Sequence, residues 1–265
     1  MTLSPNRRWT QAPKHFCRKA LHRTMMTALR ARAHRYQPDA EARCLVVAPH
    51  EDDATLGCGG LILRKRLEGS SVDVAYITDG SASHPGHPTL TPEALALLRR
   101  SEALAADVAL GVERSRIHFL GARDGKLGHL NAEETRALVD RIAALLVQIA
   151  PDEIFLPCRQ DGSSEHDAAF NLVRSALESA GLTSRLFEYP IWALWAPQRL
   201  VRPLLTSRKI WRLDFAGYEH LKHRALGLYH SQVAPTPPWS HAPLSPEFLS
   251  FFHSPEEFFF EMPVP

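Results

Sequence analysis

The sequence predicts an α/β fold built on an open, mostly parallel β-sheet with helices on both faces. Short apolar runs rich in β-branched residues alternate along the chain with longer amphipathic segments. Polar residues with catalytic chemistry follow the ends of two of these runs, as they do at the carboxyl edge of a parallel sheet. The chain has 265 residues and 45% hydrophobic content, which is enough for one domain with a well-filled core.

Strands are predicted where the apolar runs lie, at 44–48, 72–78, 116–120, 153–157 and 185–189. Helices are predicted between and after them, at 57–67, 92–110, 131–149 and 166–181. The third helix has the clearest start, because Asn131 is followed by the early acids Glu133 and Glu134. This alternation is typical of βαβ units with right-handed crossovers.

Two domain regions are predicted from composition. Residues 1–43 carry ten Lys or Arg against Asp39 and Glu41, a balance of +8 in a chain of net charge +2. We predict a basic, helical N-terminal extension that presents a solvated face or makes a weak contact with a membrane surface or a polyanion. Residues 44–265 are predicted to form a single domain with an aromatic- and Pro-rich C-terminal tail, irregular from Pro235 and packed on the body or on a partner.

Composition also excludes several classes of protein. No run of eighteen apolar residues and no secretory leader is evident, and the four cysteines form no disulfide pattern, so we expect a cytoplasmic protein. The basic residues at the N-terminus belong to no recognition fold, so nucleic acid is not an expected partner. The sequence leaves the oligomeric state open.

The stretch His50-Glu51-Asp52-Asp53 lies where the first predicted strand ends and the first helix begins. In an open α/β sheet this carboxyl edge is where ligands bind. One imidazole and two carboxylates can hold a divalent metal and leave one carboxylate free to move a proton. A capped helix start is the alternative interpretation, because an aspartate at an N-cap accepts backbone N–H bonds.

Gly57, Gly59 and Gly60 follow this stretch without forming a nucleotide site. The third glycine of the dinucleotide fingerprint is missing at its spacing, and the preceding acids would repel a pyrophosphate. Cys58 and Cys158 are expected near the pocket, but neither has the C-x-x-C spacing of a zinc site.

His166 is the predicted third metal ligand, because it follows the strand end at Pro157 and opens a helix. With His50 and Asp53 it supplies two imidazoles and one carboxylate, a set that fits Zn²⁺ and suits another divalent metal such as iron(II) or manganese less well. Asp52 is not needed as a ligand and is the predicted catalytic base. Asp161 is predicted to orient His166 by contacting the side of its ring that faces away from the metal.

The run from Pro49 to Gly60 resembles the His-Pro-Asp-Asp-Glu signature of the PIG-L/LmbE-like zinc-dependent de-N-acetylases. The resemblance continues from Cys44 to Gln232. Its further blocks are Thr78–His84, Arg99–Glu102, Phe119–Gly121, Asp124–Gly125, Pro157–His166 and Tyr229–Gln232. The block ending at His166 is similar to the family's Asp-Gly-His-Pro-Asp-His segment, and the last block is similar to its Ser-Gln motif.

The resemblance implies a Rossmann-like fold and a metal-dependent enzyme that needs no organic cofactor. The implied reaction removes acetate from an N-acetylglucosamine-type sugar in a glycan, glycolipid or small-molecule glycoconjugate, with Asp52 as the base. Two alternatives stay open: hydrolysis of another N-acyl amide, and a metal- or sugar-binding protein that has lost turnover.

Three positions depart from the family pattern: Glu51 replaces its usual Pro, Ala54 its usual Glu, and Ser163 the first His of the later segment. We expect Ser163 to give the substrate at most a neutral hydrogen bond, because a hydroxyl cannot carry a positive charge.

Arg99, Asp79 and His84 are further candidates for substrate binding. For Arg99 the alternative is an ion pair with Glu102 on the same helix face, and for Asp79 it is a turn with the following glycine. His84 is expected near the pocket from topology alone.

Overall fold

The computed structural model of the chain describes residues 6–159, 161–207 and 209–262. The first five residues of the predicted extension and the last three of the predicted domain lie outside this range. The strands are β1 (His34–Arg35), β2 (Cys44–Ala48), β3 (Val72–Thr78), β4 (Ile117–Ala122), β5 (Glu153–Pro157), β6 (Arg185–Tyr189), β7 (Lys209–Asp214) and β8 (Glu256–Glu261).

The longer helices surround these strands, and shorter ones follow β6. The helices are α1 (Asn6–Arg32), α2 (Asp53–Leu67), α3 (Pro92–Ala109), α4 (Ala132–Ile149), α5 (Ser164–Ala180), α6 (Trp192–Trp195), α7 (Val201–Thr206), α8 (Glu219–Leu226), α9 (His230–Val233) and α10 (Pro246–Leu249). Short 3₁₀ turns lie at Arg114–Arg116, Leu127–His129, Pro197–Leu200 and Ser250–Phe252.

The strands form one sheet in the order β1-β7-β8-β6-β5-β2-β3-β4. Neighbouring strands run parallel except around β8, which is antiparallel to both β6 and β7. The predicted α/β fold with an open, mostly parallel, Rossmann-like sheet is therefore confirmed.

Both faces of the sheet are buried, as β2 shows. Cys44, Val46 and Ala48 point into a core cluster that also contains side chains of α2, α3 and α8. Leu45 and Val47 point the other way, into a cluster with side chains of α4 and α5. Successive strand residues face opposite sides, so a strand covered on both faces reads as a continuous apolar run.

The predicted elements match the observed ones closely, with one informative difference at α2. Four of the five predicted strands have the observed bounds, and the fifth is shifted to Ile117–Ala122. Helix α2 begins at Asp53, four residues before the predicted start, because the glycines lie inside the helix. A Cβ on Gly57 would lie 2.2 Å from Tyr189 Cδ2, and one on Gly60 would lie 2.4 Å from Phe215 Cδ1. These glycines let aromatic rings approach the helix backbone.

The predicted irregular tail contributes an interior strand, which corrects that prediction. In β8, Phe258 and Phe260 pack in one core cluster and Phe259 in another. The acid Glu257 accepts N–H bonds from Gly60 and Leu61 and pairs with Lys222 Nζ at 2.8 Å. Buried acids inside a strand hide the alternation by which strands are usually predicted.

The predicted N-terminal extension is helical in α1, but its second half belongs to the packed body. Met26 and Leu29 lie in a core cluster with residues of β7 and β8, and β1 pairs with β7. Tyr36 is buried among Phe155, Phe187 and Phe259. These contacts disagree with a peripheral segment that ends at residue 43.

Membrane association of the basic segment stays a prediction. Across the described ranges, none of the helices combines the length and the apolar character needed to cross a bilayer.

A buried ion pair connects α2, which begins at the predicted ligand Asp53, to β5, which precedes the loop to His166. Lys65 Nζ lies 2.8 Å from Glu153 Oε2, and the Lys65 side chain is fully buried. Tyr36 donates to the same oxygen at 2.6 Å, and Arg185 donates to Glu153 Oε1 at 3.1 Å. One carboxylate thus serves two cations and a hydroxyl.

We predict that Glu153→Gln lowers the free energy of unfolding by about 3–5 kcal/mol, because it leaves the buried ammonium of Lys65 without its counter-ion. Glu178→Gln is the control, since its pair with Arg174 is exposed and should cost less than about 1 kcal/mol. Urea denaturation of both variants measures the difference. Equal small losses would contradict the structural role assigned to Glu153.

Candidate metal site

The loops after β2 and β5 meet where the strand order reverses. These two strands are neighbours, but the chain leaves β2 toward β3 on one side and β5 toward β6 on the other. Open α/β sheets form a ligand-binding crevice outside the carboxyl ends of strands at such a point. His50 and Asp53 follow β2, and Asp161 and His166 follow β5, so both predicted groups reach this crevice.

The imidazoles of His50 and His166 both face the carboxylate of Asp53. His50 Nδ1 lies 3.1 Å from Asp53 Oδ2, and His166 Nε2 lies 3.4 Å from the same oxygen. One potential ligand atom from each residue lies within 4.8 Å of the other two. The structure brings the three predicted ligands together, while their role as ligands stays a prediction.

His166 is oriented from behind by Asp161. Its Nδ1 lies 2.9 Å from Asp161 Oδ2, and this carboxylate also accepts backbone N–H bonds from Ile191, Trp192 and Ala193. A carboxylate placed this way keeps the proton of a neutral imidazole on Nδ1 and leaves the lone pair on Nε2. His166 Nε2 is buried and has no hydrogen-bond partner among the described residues. A buried polar atom of this kind is unfavourable unless something else binds it.

These atoms fit a divalent metal. Ligand atoms about 2.0–2.1 Å from a tetrahedral zinc ion lie about 3.4 Å from each other. The observed distances of 3.1 and 3.4 Å from Asp53 Oδ2 to the two imidazole nitrogens are close to this value. Three protein ligands leave the fourth position of a tetrahedral site for water or substrate.

Asp52 lies beside this group but is held by Arg99. Arg99 Nη2 donates to Asp52 Oδ1 at 3.0 Å, and Arg99 Nε lies 3.1 Å from Glu51 Oε2. Arg99 is only 2% exposed, and its contact with a substrate stays a prediction. Glu102 instead accepts hydrogen bonds from the backbone and hydroxyl of Ser231. The ion pair between Arg99 and Glu102, considered from the sequence, is therefore not what the structure shows.

Asp79 and His84, two further predicted substrate contacts, are engaged by other residues of the chain. Asp79 Oδ1 accepts N–H bonds from Ser81 at 3.0 Å and from Asp124 at 3.1 Å, which is a turn role. The buried His84 ring stacks on Trp239 with centroids 5.1 Å apart, and burial lowers the pKa of His84. Substrate contact by either residue stays a prediction.

Two acids of the site, Asp124 and Glu165, were not predicted. Glu165 Oε2 lies 2.6 Å from His50 Nε2, and Asp124 Oδ1 lies 3.3 Å from the same nitrogen. Asp124 follows the end of β4, so the edge rule that selected His50 and His166 also applies to it. Glu165 precedes His166 directly, and no spacing rule separates it from an ordinary acid in the first turn of a helix.

The site concentrates negative charge away from water. Six buried carboxylates lie around it, those of Glu51, Asp52, Asp53, Asp124, Asp161 and Glu165. Burial raises the pKa of Asp52 against the attraction of Arg99, and burial raises the pKa of Glu51 to about 7. Buried charges need compensation by neighbouring cations.

The imidazoles carry part of that compensation. Burial disfavours charged His50, but hydrogen bonds to the carboxylates outweigh it and hold its pKa well above the ordinary value. For His166, Asp53 and Asp161 likewise outweigh burial and raise the pKa to about 9. Binding a metal at these nitrogens requires the neutral imidazoles and releases their protons.

The family of the chain follows from comparison with known proteins. The sequence model of the PIG-L family, described as GlcNAc-PI de-N-acetylase, matches residues 45–177. The chain belongs to this family. A diacetylchitobiose deacetylase from Thermococcus kodakarensis is 32% identical over 145 residues, which cover 53% of this chain and 51% of that protein. The chain thus spans about half the length of this curated relative.

Solved structures agree on the fold. The conserved protein TT1542 from Thermus thermophilus has a TM-score of 0.54 and 28% identity, over 72% of this chain and 80% of its own. A deacetylase triple mutant of the teicoplanin biosynthetic pathway has a TM-score of 0.62 at 18% identity, over 84% of this chain and 98% of its own. The second likeness is a likeness of fold alone.

The structure gives this PIG-L chain a reason for each of its three departures. Glu51 is buried against Arg99, as described above. Ala54 lies in the first turn of α2, on its buried side, with no exposed surface. Ser163 is the N-cap of α5, and its hydroxyl accepts the N–H of His166 at 3.4 Å. A serine at this position therefore helps to begin the helix that carries His166.

We predict that Ser163→Ala lowers the free energy of unfolding by about 0.5–2 kcal/mol, the usual cost of losing an N-cap. Ser163→Asp keeps a capping oxygen and should lose less. Ser164→Ala is the control, because Ser164 is exposed and lies within the helix. Thermal and urea unfolding measure the losses. An equal loss in Ser164→Ala would argue against the capping role.

Proposed function

We propose that the chain is a metal-dependent N-deacetylase that hydrolyses the acetamide of an N-acetylglucosamine-type sugar. The observation that carries the proposal is the buried Nε2 of His166, which has no hydrogen-bond partner in the described part of the chain and faces Asp53 beside His50. Asp52 interacts electrostatically with Asp53 and His50, so the proposed base would share one crevice with the proposed metal site. Family membership agrees with this chemistry.

His50, Asp53 and His166 are the residues that would hold the metal. Zn²⁺ is the preferred ion for two imidazoles and one carboxylate, and another divalent ion would suit the same donors less well. A bound zinc ion would polarise the amide carbonyl and make a water molecule more acidic. Asp161 keeps the His166 imidazole turned so that its Nε2 faces the crevice.

Asp52 would move the proton. As a carboxylate it accepts a proton from the attacking water and then gives it to the nitrogen of the departing amine. Arg99 binds one oxygen of Asp52, so this carboxylate keeps its orientation and retains the other oxygen for the proton. The products are acetate and a free amine, and the atoms balance with one water consumed.

The names of the family and of the curated relative support an amino-sugar substrate. One names a GlcNAc-PI de-N-acetylase and the other a diacetylchitobiose deacetylase, both acting on acetylated amino sugars. The relative is matched over only about half its length, so the sugar itself is part of the proposal. Acetate release from a panel of N-acetylated sugars, glycolipids and glycoconjugates is the direct test.

We predict that zinc-loaded wild-type protein releases acetate from at least one N-acetyl sugar, and that Asp52→Asn loses about 10²–10⁴-fold in turnover. An amide cannot accept the proton but keeps a similar size, so metal and fold should persist. Ser163→Ala at equal zinc occupancy should lose about tenfold or less, since a neutral hydrogen bond contributes about 0.5–1.5 kcal/mol. Near-normal turnover by Asp52→Asn would exclude it as the base.

The panel also separates the alternatives. Cleavage of other N-acyl amides without any N-acetyl sugar would favour an amidase of different specificity. Zinc binding with no turnover on any amide would favour a protein that only binds metal or sugar.

We predict about one divalent ion per chain in the wild type and loss of most of it in His166→Ala, His50→Ala and Asp53→Ala. His118→Ala is a matched control, because this half-buried histidine pairs with Asp73 on the neighbouring strand, away from the crevice. Elemental analysis after dialysis measures the occupancy. Full occupancy in His166→Ala would reject that ligand.

A further inference from the structure

Each imidazole of the proposed metal site has a carboxylate on its second nitrogen. For His166 this carboxylate is Asp161, at 2.9 Å from Nδ1. For His50 it is Glu165, at 2.6 Å from Nε2. The two histidines are therefore held in opposite ways, one through Nδ1 and the other through Nε2.

We propose that Glu165 is a positioning residue that keeps His50 in the tautomer with its proton on Nε2, so that His50 binds the metal through Nδ1. The inference rests on the proposed metal site and adds the nitrogen that binds and the residue that selects it. A neutral imidazole carries a single ring proton, so a carboxylate that holds this proton on one nitrogen leaves the lone pair on the other.

The geometry around His50 carries the choice of nitrogen. Its Nδ1 lies 3.1 Å from Asp53 Oδ2, and that oxygen also faces the free Nε2 of His166 at 3.4 Å. Its Nε2 points to Glu165 and Asp124, on the other side of the ring. Nδ1 is therefore the His50 nitrogen that lies on the same side as the ligand atoms of Asp53 and His166.

Glu165 is itself fixed in place. It is buried, and its second oxygen, Oε1, accepts the N–H of Leu127 at 3.1 Å. Leu127 follows β4, Glu165 follows β5 and His50 follows β2, so this carboxylate connects three loops of the crevice. Glu165 also stands where the family's Asp-Gly-His-Pro-Asp-His segment has an aspartate. The extra methylene of glutamate lengthens its reach toward His50.

A second metal ion is the competing interpretation of the same residues. His50, Asp124 and Glu165 also offer three atoms within 4.8 Å of one another. However, Glu165 Oε1 is occupied by Leu127 N–H, and Asp124 Oδ2 accepts the N–H of Ala82 at 2.9 Å. The 2.6 Å contact between Glu165 and His50 is a hydrogen-bond distance, which favours a carboxylate–imidazole pair.

The test compares Glu165→Ala and Glu165→Gln with the wild type. Glu165→Ala removes the acceptor and should weaken zinc affinity by about 10–100-fold, the usual effect of losing a carboxylate behind a ligand. Glu165→Gln keeps a neutral carbonyl acceptor and should recover part of this loss. Glu188→Gln is the control, since Glu188 is buried and binds Arg159 outside the crevice. Competition with a chromophoric chelator measures the affinity.

Long-range ¹H–¹⁵N NMR of the zinc-loaded protein reads the His50 tautomer directly. If Glu165 had a merely structural role, its replacement in Glu165→Ala would leave this tautomer unaltered. We expect the proton on Nε2 and the metal on Nδ1 in the wild type and in Glu165→Gln. If Glu165→Ala does not fold, the inference is tested on the other two proteins. The His50 tautomer is then read in both, and the zinc affinity of Glu165→Gln should be weaker than that of the wild type.

The outcomes are distinguishable. A wild type with the proton on Nδ1, or unchanged zinc affinity in a folded Glu165→Ala, would overturn this inference and leave the proposed metal site standing. Two zinc ions per chain, one of them lost in Glu165→Ala, would make Glu165 a ligand and also overturn it. A wild type that binds no divalent ion would overturn the metal site itself.

Discussion

Compensation of buried negative charge is the constraint on which the rest of this site depends. Six carboxylates converge at the carboxyl edge between β2 and β5, where the strand order reverses. Arg99 offsets the charge of Glu51 and Asp52, and the imidazoles face the others. Removing any cation from such a group leaves an uncompensated buried charge. A divalent ion at His50, Asp53 and His166 would satisfy the part that Arg99 does not reach.

The strands and the proposed ligands could be predicted because both depend on local patterns. An apolar run buried on both faces is recognisable without any partner, and β2, β3, β5 and β6 have the predicted bounds. The edge rule then places His50 and His166 together, since the carboxyl ends of adjacent parallel strands meet. Asp161 is near enough in sequence to His166 for its supporting contact to be expected.

What could not be predicted depends on distant partners. Strand β8 contains three acids, and it forms because Lys222, Arg212, Arg185 and Trp211 offer partners from elsewhere in the chain. An ion pair of Arg99 with Glu102 was one expectation, yet Arg99 is paired with Asp52, 47 residues away. Glu165 is adjacent to a predicted ligand, but its contact with His50 spans 115 residues. Sequence spacing carries no information about such pairs.

The replacement of the family's first histidine by Ser163 changes how charge can be stabilised during the reaction. A histidine there could present a positive charge to the developing oxyanion, whereas Ser163 uses its hydroxyl to accept the N–H of His166. Arg99 does not substitute for it, because its guanidinium is already paired with two carboxylates. The proposed reaction must therefore obtain its electrostatic stabilisation mainly from the metal, which makes the orientation of His50 and His166 by their carboxylates more important in this chain.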